Sequence, residues 1–285
     1  MRRRLFGLDR FQLVLLLLLT GMAVFMLLPL VYLANHAFKP YGELFLFPPT
    51  FVVRNPTMHN FLELITVTQS SIVPVARYIF NSVLSTSLTV AITVLISALC
   101  AYPLSKHPFP GAKFIFSSII ISLMFAPETV QIPRYYVISQ LGIINTYFGH
   151  VLPIVALPVG VFMMKQFIDQ IPNELLESAN LEGAREWSLF LRIVIPLCMP
   201  AVVTVAILSF QSAWSNLETS QLFMETETMK TLPFYISTLT NGLANNVAQQ
   251  GAAAAAALLL FIPNLVFFLL MQKRVISTMM HSGLK

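Results

Sequence analysis

Between Asp169 and Trp187 the chain reads Asp-Gln-Ile-Pro-Asn-Glu-Leu-Leu-Glu-Ser-Ala-Asn-Leu-Glu-Gly-Ala-Arg-Glu-Trp, with five carboxylates against Arg185. Carboxylates set beside leucines at helical spacing can bind basic groups on a partner while an apolar ridge fills a groove. Pro172-Asn173 followed by Glu174 and Glu177 is a helix-start signal, with Asn173 available as N-cap and the acids favoured by the helix dipole. Leu175, Leu176, Ala179 and Leu181 form the expected apolar side. Gly183 falls where a helix of this length should stop, because glycine reaches left-handed dihedrals without strain. The stretch therefore predicts a short amphipathic helix, a tight turn and a second helix. Covalent chemistry has no comparable footing. The chain holds no G-x-x-x-x-G-K-[ST], G-x-S-x-G or H-E-x-x-H pattern, its five histidines are dispersed, and Cys100 and Cys198 sit in apolar runs.

The elements that must position this stretch are membrane helices. Of 285 residues 56% are hydrophobic and 10% charged, with mean hydropathy +0.76, which excludes an ordinary soluble globule. Crossing roughly 30 Å of hydrocarbon takes about 20 apolar residues. Runs without charge, bounded by Arg10 and Lys39, Arg77 and Lys106, Arg134 and Lys165, Arg192 and Glu218, and Lys230 and Lys273, meet that length. A further run starts at Lys113 and is broken only by Glu128. The reading is all-α, with six transmembrane helices near 11–34, 78–103, 113–132, 147–168, 196–217 and 250–272, in a single membrane domain over 1–285. The apolar run Phe11–Ala34 is longer than a signal-peptide core and carries Pro29 and Tyr32, so it reads as the first span.

Basic residues orient the spans. Arg2, Arg3, Arg4, Arg10, Lys106, Lys113, Lys165, Arg185, Arg192, Lys273, Arg274 and Lys285, twelve of the 17, fall on one side. That side is then cytoplasmic and holds both termini. The net charge of +5 is accounted for by this bias and by anionic lipid, so nucleic acid is not an expected partner. The segment 170–195 becomes a cytoplasmic loop, and its excess of acids favours a protein partner over lipid headgroups. The proline-rich segment 35–77 lies outside the membrane, with one short helix from Met58 to Val67 opened by Thr57. A polar loop with Asn241, Asn245, Asn246, Gln249 and Gln250 precedes the last span, and prolines 158, 200 and 263 should kink the spans that hold them.

Glu177-Ser178-Ala179, then Gly183, then Ile193, Ile195 and Pro196 after nine further residues, resembles the E-A-A-x-x-x-G … I-x-L-P motif of ABC-importer permeases. Ser178 stands for the first alanine and Ile195 for the leucine. Arg77-Tyr78-Ile79-Phe80-Asn81-Ser82, Trp214-Ser215-Asn216, Thr231-Leu232-Pro233 and the tail Gly283-Leu284-Lys285 are similar to the carbohydrate-uptake branch, in particular its maltose-permease-like second subunit. Ser215 departs from that pattern, which commonly continues with Asn after Trp.

The resemblance implies a type I importer permease fold and a bacterial-type cell membrane. It implies that Leu176, Glu177, Ser178, Ala179, Gly183 and Pro196 couple the chain to a cytoplasmic ATPase. It further implies a homologous second permease, two ATP-binding subunits that carry the ATP and Mg, an extracytoplasmic sugar-binding protein, and no cofactor in this chain. Asn81, Gln211, Trp214 and Asn216 are candidate sugar-pathway residues, with interhelical hydrogen bonding as the competing role. Glu128 is a further candidate as a carboxylate at a membrane edge, where snorkelling explains it equally well. A permease for an amino acid or polyamine and an intramembrane enzyme are the alternative readings.

Overall fold

The computed structural model describes residues 9–44, 46–48, 50–69, 73–243 and 250–282, and among them there are helices and no strands. The Arg2–Arg4 cluster, the loop residues Asn245, Asn246 and Gln249, and the Gly283–Lys285 tail lie outside the described residues. In chain order the helices are α1 (Arg10–Ala37), α2 (Tyr41–Leu44), α3 (His59–Gln69), α4 (Val75–Lys106), α5 (Ala112–Ser122), α6 (Gln131–Gln140), α7 (Tyr147–Val155), α8 (Pro158–Asp169), α9 (Asn173–Leu181), α10 (Glu186–Leu189), α11 (Ile195–Leu197), α12 (Met199–Trp214), α13 (Glu218–Phe223), α14 (Leu232–Leu243) and α15 (Gln250–Ser282). Three of these are long and apolar enough to cross a membrane: Phe11–Ala37, Val75–Lys106 and Gln250–Gln272. Three bent helix pairs, α5 with the turn and helix Pro127–Gln140, α7 with α8, and Glu186–Leu197 with α12, bring the total to six when each pair is one span. The chain is an all-α polytopic membrane protein.

The bends fall where proline chemistry puts them. The predicted single span 113–132 is interrupted: α5 ends at Ser122, and a 3₁₀ turn over Pro127–Val130 leads into α6 at 110° to α5. Pro127 forces Ala126 into extended backbone, ψ 135°, because the residue before proline clashes in the helical region. Eleven residues of α5 reach only about 16 Å, so this crossing is a broken one. Counting charges alone could not reveal that. Pro158 likewise begins α8 after a 52° bend and does not kink a continuous span. In the third pair a π turn over Phe190–Val194 precedes Pro196, with Ile195 N–H bonded to the Phe190 carbonyl. The wider turn forms beside a residue that has no N–H to give. The chain then turns 79° into α12, whose first turn holds Pro200. Pro263 alone of the three lies inside a continuous helix, α15.

The chain forms two compact units, one of Met1–Ile72 with Ile236–Phe261 and one of Val73–Tyr235 with Ile262–Lys285. In the first, the segment after α1 is tied down by buried polar side chains. Asn60 donates to the carbonyls of Ala37 and Lys39, the Glu43 carboxylate accepts from the N–H groups of Arg54 and Asn55, and Lys39 donates to the Thr50 carbonyl. Thr57 Oγ1 accepts from His59 N–H at 2.9 Å at the start of α3, which begins one residue later than the expected Met58 and runs on to Gln69. Gly251 at the start of α15 lets Asn60 approach, since a Cβ there would lie 2.7 Å from the amide.

The second unit is organised around α4. Ser82, Ser85, Thr86, Thr89, Thr93 and Ser97 are buried along it at near-fourfold spacing, which is one helical face. Small side chains on that face let neighbouring backbones come close. Gly160 of α8 meets Ser97 and Val205 there; a Cβ at Gly160 would sit 2.8 Å from Ser97 Oγ. Ala98, Ala101, Met164, Ile168, Phe190, Val194, Ala201 and Val205 complete the core of this unit.

Candidate functional site

The acidic stretch folds as a helix, a turn and a helix. α9 runs from Asn173 to Leu181, and Gly183 follows with φ +85°. The Ala184 N–H bonds the Ala179 carbonyl at 3.0 Å and the Gly183 N–H bonds the Asn180 carbonyl at 2.9 Å. This pair is a Schellman turn, which satisfies the last carbonyls of the helix and requires a left-handed residue at the glycine. The motif spacing Ala179 to Gly183 is thus the spacing between the acceptor residue of the turn and its left-handed corner.

Two expectations about α9 are corrected. Asn173 is the first helical residue and not the N-cap, which is Pro172. Its Oδ1 accepts instead from Lys106 Nζ at 3.0 Å, and the same ammonium donates to the Ile171 carbonyl. The last residue of α4 therefore seats the first turn of α9. That contact joins residues 67 apart, and no local pattern announces it.

The second correction concerns the apolar side. Leu176 is 7% exposed and packs in the core with Met164, Ile168, Phe190 and Val194, so it holds α9 to its own chain and is covered from any partner. Leu181 is 90% exposed. With about 100° between successive residues, Glu174, Glu177, Ser178 and Leu181 share one arc of about 100°, opposite Leu176. All four are exposed. Ala179 is half-buried beside the turn and Pro196 is exposed beyond the π turn.

Two other carboxylates of the stretch, Asp169 and Glu186, are engaged, while Glu182 is exposed beside the turn. Asp169 accepts from Lys165 at 2.7 Å and from Ser105 at 2.6 Å, and Glu186 accepts from the Tyr102 hydroxyl at 2.8 Å with His107 Nε2 3.5 Å away. The acids facing outward on α9 are Glu174 and Glu177 of the exposed arc, with Glu182 at its C-cap.

The pathway candidates separate by burial. Asn81 is fully buried and makes three side-chain bonds. Its Nδ2 donates to the carbonyls of Thr228 and Lys230, both at 2.8 Å, and its Oδ1 accepts from the Tyr147 hydroxyl at 2.8 Å. His150, also buried, bonds Thr219 Oγ1 and the Met229 carbonyl, the carbonyl requiring Nε2 to carry the proton. Ser82 accepts from Leu232 N–H, and Ser220 pairs with Thr231. Together these residues form a polar knot that pins the segment 224–232 against α4, α7 and α13. Interhelical bonding, the competing role, is the one Asn81 plays. Sequence reasoning missed His150, whose partners lie far along the chain.

Trp214 is 6% exposed, and its ring lies parallel to Phe210, which in turn stacks on Phe267 at 4.0 Å. Its face is covered, contrary to the expectation of a ring open to a sugar. Asn216 Oδ1 accepts from Thr219 N–H at 2.9 Å and so opens α13. Ser215, the departure from the family pattern, accepts from Asn264 Nδ2 at 3.3 Å. Gln211 and Glu128 are exposed, the first on α12 and the second in the turn after the 110° bend. Gln211, Trp214 and Asn216 thus cluster at the end of α12, while Asn81 lies on α4 and Glu128 in the turn before α6.

Residues 2–275 match the family model for the binding-protein-dependent transport system inner membrane component. The chain belongs to that family. Relatives of this permease include the arabinooligosaccharides transport system permease protein AraQ of Halalkalibacterium halodurans, 29% identical over 76% of the chain and 77% of the relative. The sulfoquinovosyl glycerol transport system permease protein SmoH of Agrobacterium fabrum is 30% identical over 73% of the chain and 72% of the relative. The permease also shares its fold with a chain of a bacterial ABC transporter involved in the import of the acidic polysaccharide alginate, at TM-score 0.77 and 18% identity over 93% of this chain and 98% of that one. It is a multi-pass transport component of the membrane.

Proposed function

We propose that this chain is one permease subunit of an ATP-driven importer of oligosaccharides, forming half of the pathway beside a homologous second permease. The observation that carries the reading is the exposed arc Glu174, Glu177, Ser178 and Leu181 on a helix locked at both ends, by Lys106 at its start and by the Gly183 turn at its finish. A short rigid helix with carboxylates around an apolar knob fits a groove rimmed by basic groups. The groove belongs to a cytoplasmic ATPase, of which two copies supply ATP and Mg, and an extracytoplasmic binding protein delivers the sugar. The names of the relatives support a saccharide or glycoside as cargo. Both termini and α9 lie on the cytoplasmic side, on the strength of the positive-inside bias.

The Lys106 anchor and the single core shared by α8, α9 and α12 let a push on α9 reach the spans as rigid-body motion. The test is uptake of a labelled oligosaccharide panel by cells that express the chain with its second permease, ATPase and binding protein. Uptake of one class, abolished by Glu177→Lys, is the expected result. Uptake of an amino acid or polyamine and of no saccharide overturns the cargo, and uptake indifferent to Glu177→Lys overturns the coupling role.

A further inference from the structure

The segment 170–195 reads in sequence as a loop with an excess of acids, and the structure divides it into two surfaces. The second surface lies past Gly183. There the helical stretch Glu186–Leu197 meets α12 at 79°. A crossing helix tilts by about 20° on average, and with the fifth crossing carried by α12, as the 196–217 span read from the sequence has it, a stretch at 79° to that helix lies near the membrane plane. Its inner side, Leu189, Phe190 and Val194, is buried in the core. Its outer side presents Trp187, 59% exposed, and Leu191, with Arg192 beside them. Trp187 is held in orientation by stacking on Phe190 at 5.5 Å.

A cleft of about 760 Å³ opens between the end of α9 and this outer side, lined by Ala179, Glu182 and Gly183 from the first and by Arg185, Trp187 and Arg192 from the second. Glu186, adjacent in sequence to Arg185, is turned away to Tyr102 and His107. Among the described residues neither Arg185 nor Arg192 makes an ion pair, so the cleft lining holds two guanidinium groups and one carboxylate, a net positive site. Guanidinium groups bind phosphate oxygens in bidentate fashion. Tryptophan and arginine together at the headgroup level mark an interfacial anchor.

We propose that this elbow binds the headgroup phosphate of an anionic phospholipid through Arg185 and Arg192, with Trp187 seated among the glycerol and upper acyl groups. The lipid fastens the hinge between α9 and α12 to the membrane plane, so that force on α9 bends the hinge without lifting it from the bilayer. The position at the end of a crossing helix and the apolar Trp187 and Leu191 beside the cations favour a lipid over a soluble anion.

The chain holds two tryptophans, and Trp214→Phe leaves Trp187 as the reporter. The full chain is placed in phosphatidylcholine vesicles that contain a minor fraction of either brominated phosphatidylglycerol or brominated phosphatidylcholine. The expected result is stronger quenching by the brominated anionic lipid, with local enrichment of about fivefold for each arginine. That excess weakens as salt is raised, disappears in Arg185→Ala/Arg192→Ala and survives in part in Arg185→Lys/Arg192→Lys. Equal quenching by the two lipids, an excess indifferent to salt, an excess that persists in the double alanine variant, or no quenching by either lipid overturns the proposal.

Discussion

The Tyr147 hydroxyl donates to Asn81 Oδ1 at 2.8 Å, while the amide nitrogen of the same asparagine holds the Thr228 and Lys230 carbonyls. One buried side chain thereby closes α4, α7 and the segment before α14 into a single joint. Each group left without a partner in a buried site costs about 1 to 3 kcal/mol. Asn81→Ala orphans two carbonyls and a hydroxyl, and is expected to lower the unfolding free energy of the purified chain by about 3 kcal/mol. Tyr147→Phe removes one bond and costs about 1 kcal/mol. Because both residues belong to one network, the double variant is less destabilised than the sum of the two. Thermal unfolding of the three variants in detergent checks this, and strict additivity would count against a shared joint.

Two glycines of the second unit are needed for opposite reasons. At Gly183 nothing lies within 4 Å of a built Cβ, and the backbone sits at φ +85°. Gly183→Ala should therefore cost only the left-handed strain, about 1 kcal/mol, with Gly183→Asn milder because asparagine tolerates that region. At Gly160 the backbone is ordinary and the space is filled by Ser97 and Val205. Gly160→Val forces α4, α8 and α12 apart, at a cost of about 3 kcal/mol or more. Unfolding curves that rank Gly183→Ala as the worse of the two would refute this assignment.

The parts of the fold that were legible in the sequence are those written in local pattern. Charge-free runs located the spans, and Thr57 and Gly183 marked a helix start and a helix end through side-chain and backbone chemistry that acts within a few residues. What stayed hidden depends on distant partners. Hydropathy gives Leu176 and Leu181 the same weight, and only the packing of Met164, Ile168 and Phe190 makes one a core residue and leaves the other outside. Asn173 looks like a cap until Lys106 arrives from another helix. Trp214 and Asn81 have the right chemistry for a sugar, and their neighbours Phe210, Tyr147 and the 228–230 carbonyls have already taken it up.

Leu176 and Leu181 accordingly respond differently to truncation. Leu176→Ala opens a cavity in the core and should destabilise the chain by about 3 kcal/mol. Leu181→Ala leaves stability unchanged within about 0.5 kcal/mol, yet removes the apolar knob of the exposed arc. Its effect is expected in association, as loss of the co-purified ATPase in a pull-down with the full transporter. A Leu181→Ala chain that retains the ATPase normally would place the docking face elsewhere on α9.

Lys106 supplies the last contrast. It ends α4 with its ammonium on the Ile171 carbonyl and Asn173 Oδ1, and so ties a membrane helix to the start of α9. Lys106→Met keeps the length and apolar stem but removes the donors, leaving α9 held by Leu176 at its middle and the Gly183 turn at its end. The spans should stay folded, because the α4 core residues Ala98 and Ala101 are untouched. The first turn of α9 should loosen, with faster amide exchange at residues 173–176 by about tenfold for a loss of about 1.4 kcal/mol in local stability. If α9 transmits force only when rigid, the same variant binds the ATPase and hydrolyses ATP while uptake falls. Unchanged exchange over 173–176 would show that Leu176 suffices to seat the helix. Unchanged uptake despite a loosened turn would show that transmission does not need a rigid start to α9.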